Sequence, residues 1–231
     1  MILPFLRSQQ VETLDWLFLS HADNDHINGV VALLNESING QSLVERIVLP
    51  KLPDTMMMEF EEIIEVAEKH KIEVYEWEAG SQMMGQRVRV ECISPKKEWI
   101  LEDERQNHSG DRNENCLVLC AEINDTRILL TGDLGTTGEE LLIHDSPERR
   151  FDILKVGHHG SKNSTGAAFL KWANPKVAMI SCSYNNRYGH PNDETIERLT
   201  DRNISIFRTD LQGQITILID GRGSFVVNTK K

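Results

Sequence analysis

The chain has 231 residues, 39% of them hydrophobic, and a formal net charge of −11. That length suits one domain. No window approaches the roughly 18 apolar residues of a membrane span, and the first residues lack the basic-then-apolar order of a signal peptide, so the chain reads as soluble. A whole-protein basic footprint for nucleic acid is excluded. Residues 54–78 carry nine acids against Lys69 and Lys71, and residues 149–176 carry six bases against Asp152, which allows a local basic patch only.

Taken in chain order, Leu14–Ser20 reads as a buried strand and Ile27–Asn35 as a helix. Between them lies His21-Ala22-Asp23-Asn24-Asp25-His26, four metal-competent side chains within six residues. Imidazole nitrogens and carboxylate oxygens together suit a divalent transition metal. In an extended loop alternate residues point the same way, so His21, Asp23 and Asp25 can converge. A single histidine there would be an ordinary capping turn; the full pattern points to a metal.

Arg46–Pro50 is a short strand. Met56–His70 is an amphipathic helix with Phe60, Ile63, Ile64 and Ala67 at helical spacing; Met56–Met58 read as packing at its start. Ile72–Trp77, Arg87–Ser94, Asn115–Ile123 and Arg127–Thr131 are strands, with Asn124-Asp125 as a hairpin turn between the last two. Ile100–Glu114 is polar and charged and reads as a mobile loop, with His108 a solvated residue in it. Thr131-Gly132-Asp133 follows its strand directly, which places Asp133 at the strand exit, where a carboxylate can bridge two metals.

Thr136–His144 is a helix and Asp152–Val156 a strand, followed by Gly157-His158-His159-Gly160-Ser161-Lys162. Paired histidines between glycines suggest one ring on metal and one on an anionic oxygen, with Ser161 and Lys162 contacting phosphate. Thr165–Trp172 is a helix and Lys176–Ser183 a strand. Then come Asn185-Asn186-Arg187-Tyr188-Gly189-His190-Pro191, which offer His190 as a further ligand and Asn186, Arg187 and Tyr188 near substrate. Asn192–Arg202 is a helix capped by Asn192. Ile204–Arg208, Gln214–Ile219 and Ser224–Asn228 are closing strands. Cys92, Cys116, Cys120 and Cys182 show no CxxC spacing and read as core residues without disulfides. The alternation indicates an α/β layered sandwich with chemistry at strand ends.

In this order, the His-x-Asp-x-Asp-His loop, the Thr-Gly-Asp turn, His-His-Gly-Ser and Asn-Arg-Tyr-Gly-His-Pro resemble the metallo-β-lactamase superfamily. More narrowly, with Asn113-Glu114-Asn115-Cys116-Leu117-Val118-Leu119, they resemble the metallo-β-lactamase-like domain of ComEC-type DNA-uptake proteins. The resemblance runs from Leu3 to Ile219. It implies an αββα sandwich with a centre of two divalent metal ions, zinc or manganese, at one edge. His21 and Asp23 would serve one metal; Asp25, His26 and His190 the other; Asp133 would bridge, His159 would ligate and His158 would face substrate.

Superfamily members commonly have histidine at the positions of Asp23 and Asn115; the harder oxygen ligand moves the preference from zinc toward manganese. The resemblance also implies initial strands, which this chain would lack, and a membrane-embedded parent protein with this domain on the outer face of the bacterial cytoplasmic membrane, or otherwise a cytoplasmic chain. The implied activity is a phosphodiesterase or nuclease acting on DNA during uptake, with Asp25, His158 and Lys162 catalytic and Ser161, Asn186 and Arg187 binding substrate. The alternatives are a phosphocholine esterase, lactonase or β-lactamase, or a non-catalytic domain that guides DNA.

Overall fold

The computed structural model describes residues 2–38, 40–100, 112–144, 146–147 and 149–231. Residues 101–111, with His108 and most of the expected loop, lie outside that set. The expected αββα arrangement follows from which way alternate strand residues face. Ile47 and Leu49 of strand Arg46–Pro50 pack with Val30, Leu33 and Leu34 of helix Val30–Leu34 and with Ile63 and Ala67 of helix Glu61–Lys69. Val48, between them, faces the other way and meets Trp77, Val90, Cys92 and Leu119. A strand covered on both faces reads as an unbroken apolar run, not an alternating one.

The first sheet is parallel, in the order Leu17–Phe18, Arg46–Pro50, Glu73–Trp77. The second has seven strands, ordered Ser205–Arg208, Val177–Ile180, Ile153–Lys155, Thr126–Leu130, Val118–Ile123, Arg89–Ser94 and Gln82–Met84. Its first four strands are mutually parallel and the rest antiparallel. Cys120, Leu129, Leu154, Ala178 and Ile180 form its outer core with Leu142, Phe169, Leu170, Trp172 and Leu199 of three covering helices. These are Thr136–His144, Ala167–Ala173 and Asp193–Thr200. The cysteines are free.

Most elements match the sequence reading to within a few residues. Asn124 and Asp125 both take positive φ, 48° and 66°, as a tight hairpin turn requires. The Asn192 side chain accepts from Glu194 N at 3.1 Å and caps its helix. Two differences bear on the site. The expected helix Ile27–Asn35 is two short helices, Asn24–Ile27 and Val30–Leu34, parted at Asn28-Gly29; the first turn forms inside the His/Asp loop itself. A helix at Ile2–Ser8 was not expected, and Leu3 and Leu6 pack it on the first core. No helix among the described residues is long and apolar enough to cross a membrane.

Glu139 is a charged exception in the outer helix layer, 3% exposed. Burial lifts its carboxyl from 4.5 to about 7, opposed by the Gly166 and Thr165 amides and by Arg198, with Glu114 adding repulsion. The folded chain therefore keeps a proton that the unfolded chain releases. This contribution to stability is complete below pH 4.5 and is lost as pH rises through about 7. The loss is about 3 kcal/mol at roughly 1.4 kcal/mol per unit. Urea titrations should show wild type losing that much more than Glu139→Gln between pH 5 and pH 8; parallel losses would contradict it. Leu129 is fully buried in a central strand, so Leu129→Ala should cost roughly 2–5 kcal/mol in the same assay.

Candidate metal centre

The loops that carried the sequence motifs all leave the carboxyl ends of parallel strands, the side of an open α/β sheet where ligands bind. Leu17–Phe18 leads to His21, Thr126–Leu130 to Asp133, Ile153–Lys155 to His158 and His159, and Val177–Ile180 toward His190. The two sheets join there: Leu117 N donates to Ser20 O at 2.8 Å. Gly132 (φ +56°) makes that approach possible, because a Cβ on it would sit 2.9 Å from Ser20 Cβ and 3.2 Å from Cys116 Sγ.

Asp25, His26, Asp133 and His159 come together with one ligand atom each, all within 4.8 Å of one another. His26 Nε2 lies 3.3 Å from Asp133 Oδ1, and His159 Nε2 lies 3.5 Å from Asp133 Oδ2 and 3.3 Å from Asp25 Oδ2. Asp133 is 2% exposed. Burial alone would raise its carboxyl; Lys155 and, when they carry a proton on Nε2, His26 and His159 outweigh that and hold it well below the usual carboxylate range. Lys155 Nζ is 3.6 Å from Asp133 Oδ1 and donates to Gly132 O at 3.0 Å.

The ring hydrogens point away from this cluster. His159 Nδ1 is 2.7 Å from Ser181 O. A carbonyl only accepts, so the neutral ring carries its proton on Nδ1 and presents a bare Nε2 to the cluster. Ser20 Oγ lies 3.0 Å from His21 Nδ1 and 3.1 Å from His26 Nδ1. A hydroxyl oxygen can accept from both rings, and with both protons on Nδ1 the two Nε2 atoms are bare in the same way. The Nε2 atoms of His21, His26 and His159 and Asp133 Oδ1 are all buried without a hydrogen-bond partner among the described residues. Such groups are costly unless an electrophile satisfies them, so this donor set fits a divalent cation.

His21 is buried against His26, ring centroids 4.1 Å apart, and its Nε2 is 3.8 Å from Asp23 Oδ2. Burial, with help from His26, pushes its imidazole down to about 4 against the pull of Asp133, Asp23 and Asp25, so it is neutral at pH 7. The His190 ring centroid lies 5.7 Å from that of His158. Burial and the neighbouring His158 and His159 lower its imidazole, with Asp133 opposing. His158 and His159 share a turn with φ of 43° and 54°, which turns their rings 74° to each other.

The residues expected at the substrate fall into two groups. Lys162 is exposed and the Arg187 guanidinium lies 4.7 Å over the Tyr188 ring. Ser161 and Asn186 are engaged inside their own loops. Ser161 is 6% exposed and its Oγ accepts from Asn163 N; Asn186 bonds Ser183 O and both backbone groups of His190. Sequence reasoning missed Ser20, Lys155 and Glu139. The available signals were a hydroxyl next to the first histidine and charges within otherwise apolar elements.

The profile of the metallo-beta-lactamase superfamily matches residues 1–184. The chain belongs to the metallo-β-lactamase superfamily. It is 33% identical over 227 residues to ComE operon protein 3 of Bacillus subtilis (strain 168), covering 98% of this chain and 27% of that protein. It is 30% identical over 224 residues to competence protein ComA of Neisseria gonorrhoeae, covering 96% and 28%. The chain thus spans little more than a quarter of the length of these two relatives. Among solved structures, the metallo-beta-lactamase fold protein YhfI from Bacillus subtilis superposes with a TM-score of 0.54 at 10% identity, covering 90% of this chain and 79% of that one. This last likeness speaks to fold alone. The superfamily is typically one of metal-dependent hydrolases.

Ser20→Ala removes the shared acceptor of His21 and His26 without opening a large cavity. It should weaken Zn²⁺ or Mn²⁺ binding by roughly 10–100-fold while far-UV circular dichroism stays native; unchanged affinity would contradict the role given to Ser20.

Proposed function

We propose that this domain is a two-metal phosphodiesterase acting on DNA, within a longer protein of the DNA-uptake type. The observation that carries the reading is the set of bare, buried Nε2 atoms around Asp133, with a cationic loop beside it. Asp25, His26, Asp133 and His159 would hold one ion, and His21, Asp23 and His190 would complete the pair, with zinc or manganese as the candidates. The ions would supply electrophilic polarisation of the phosphodiester and activation of water.

The chain's own residues supply the rest. Asp25 is the solvent-facing carboxylate of the cluster, with its side chain 64% exposed, so it can orient a water and take its proton. His158 and His190 form a ring pair at the rim, where a donor meets a non-bridging phosphate oxygen. Lys162 and Arg187 are exposed, Arg187 with its guanidinium over the Tyr188 ring, and would contact flanking phosphates, which steers an anion toward a domain whose overall charge is −11. Names among the relatives, a competence protein and a ComE operon protein, support DNA as the substrate. The chain covers 27% and 28% of these relatives, which supports a longer parent protein; the family resemblance read from the motifs would make that parent membrane-embedded, with this domain on the outer face of the cytoplasmic membrane.

Purified chain with Mn²⁺ or Zn²⁺ should hydrolyse bis-p-nitrophenyl phosphate and single-stranded DNA in preference to a lactam or lactone. His26→Ala should lose at least roughly a hundredfold in kcat/KM, more than an outer-shell change. A fully metallated wild type that cleaves neither phosphodiester would overturn the reading.

A further inference from the structure

The loop Gly157–Gly166, which carries His158, His159, Ser161 and Lys162, is fixed from behind by two side chains that never reach the cluster. Glu139, on helix Thr136–His144, accepts from the backbone amides of Thr165 and, at 2.8 Å, of Gly166. Arg198, on helix Asp193–Thr200, donates to Lys162 O, Ser164 O and Thr165 O at 3.0–3.1 Å. From those anchors the bonds run inward. Thr165 Oγ1 accepts from Gly157 N at 3.2 Å, Ser164 Oγ donates to Gly157 O at 2.9 Å, and Thr195 Oγ1 donates to Ser161 O at 2.9 Å. Gly157 is the residue before His158.

Three non-glycine residues of this loop hold left-handed backbone: His158 (φ 43°), His159 (φ 54°) and Thr165 (φ 55°). A β-branched residue is costly there, and such strain persists only where the surroundings enforce it. Thr165 is fully buried, and the Glu139 carboxyl group holds its amide. Gly166 leaves room for that group: a Cβ on it would lie 3.2 Å from Glu139 Oε2. Two acceptor oxygens thus meet two adjacent amides, and the strained end of the loop is pinned to the helix that follows Asp133.

We propose that Glu139 is a positioning residue for the metal centre: through Thr165, Gly166 and Gly157 it sets the turn that aims His159 Nε2 at Asp133. The proposal rests on the reading of that cluster as a metal site. Arg198 is its counterpart on the other side of the loop.

The test is Mn²⁺ affinity, with free ion counted by electron paramagnetic resonance at a temperature where every variant keeps native circular dichroism. Glu139→Ala should bind Mn²⁺ roughly 10–100-fold more weakly than wild type. Glu139→Gln, which keeps one acceptor oxygen for the two amides, should fall between them and provides the measurement if the alanine variant does not fold. Leu142→Ala is the control: the same helix, fully buried, apolar. It should lower the melting temperature and leave Mn²⁺ affinity near that of wild type. Wild-type affinity in Glu139→Gln and Glu139→Ala, or an equal loss in Leu142→Ala, would overturn the proposal. Hydrolysis of bis-p-nitrophenyl phosphate separates it from the functional reading. A wild type that binds Mn²⁺ but cleaves nothing removes the phosphodiesterase and leaves the clamp to be decided by affinity; a wild type that binds no Mn²⁺ overturns both.

Discussion

Where each imidazole keeps its proton governs this site. Ser181 O takes the Nδ1 hydrogen of His159, and Ser20 Oγ meets Nδ1 of both His21 and His26. With the ring protons so placed, the opposite nitrogens present lone pairs on buried atoms around the Asp133 carboxylate. Buried lone pairs facing a carboxylate repel one another, so the arrangement is unfavourable by itself and becomes favourable around a cation. Lys155 relieves part of that strain from the strand side. A lysine alone does not satisfy three ring nitrogens.

The fold supplies the convergence. Parallel strands deliver their loops to one edge, and the two sheets bring that edge together from both sides: the His/Asp loop from the three-stranded sheet, the Asp133 turn and the paired histidines from the seven-stranded one. Closure brings the Asp133 turn against the side chains of Ser20 and Cys116, which is why Gly132 sits where any Cβ would strike Ser20. Behind the edge, the helix bearing Glu139 and the helix bearing Arg198 hold the histidine turn by its carbonyls and amides rather than by its side chains. The first sheet and its helices contribute apolar packing, the second sheet's helices add a buried polar frame, and the metal cluster lies between them.

Much of this was legible in the sequence. Arg46–Pro50, Thr136–His144 and Gln214–Ile219 lie where apolar periodicity placed them, and the motif order carried the family. The histidines and aspartates were visible because such pairs in short loops are uncommon. What stayed hidden was partnership across the chain. Nothing local distinguishes Ser20 or Lys155 from any other polar residue at a strand end. Nothing local marks Glu139 as a buried partner, because its two amide donors lie 26 and 27 residues away. The resemblance grouped His190 with Asp25 and His26; the packing places His159 within reach of that pair and the His190 ring beside His158. The break at Asn28-Gly29 followed from a loop that begins its own helical turn early, a competition that period alone does not show.

The most direct test is anomalous diffraction from crystals of the chain grown with Mn²⁺. A peak about 2.0–2.2 Å from His26 Nε2, His159 Nε2 and an Asp133 oxygen is expected. A peak confined to the acidic face of residues 54–78, or none at all at full soaking concentration, would contradict the account.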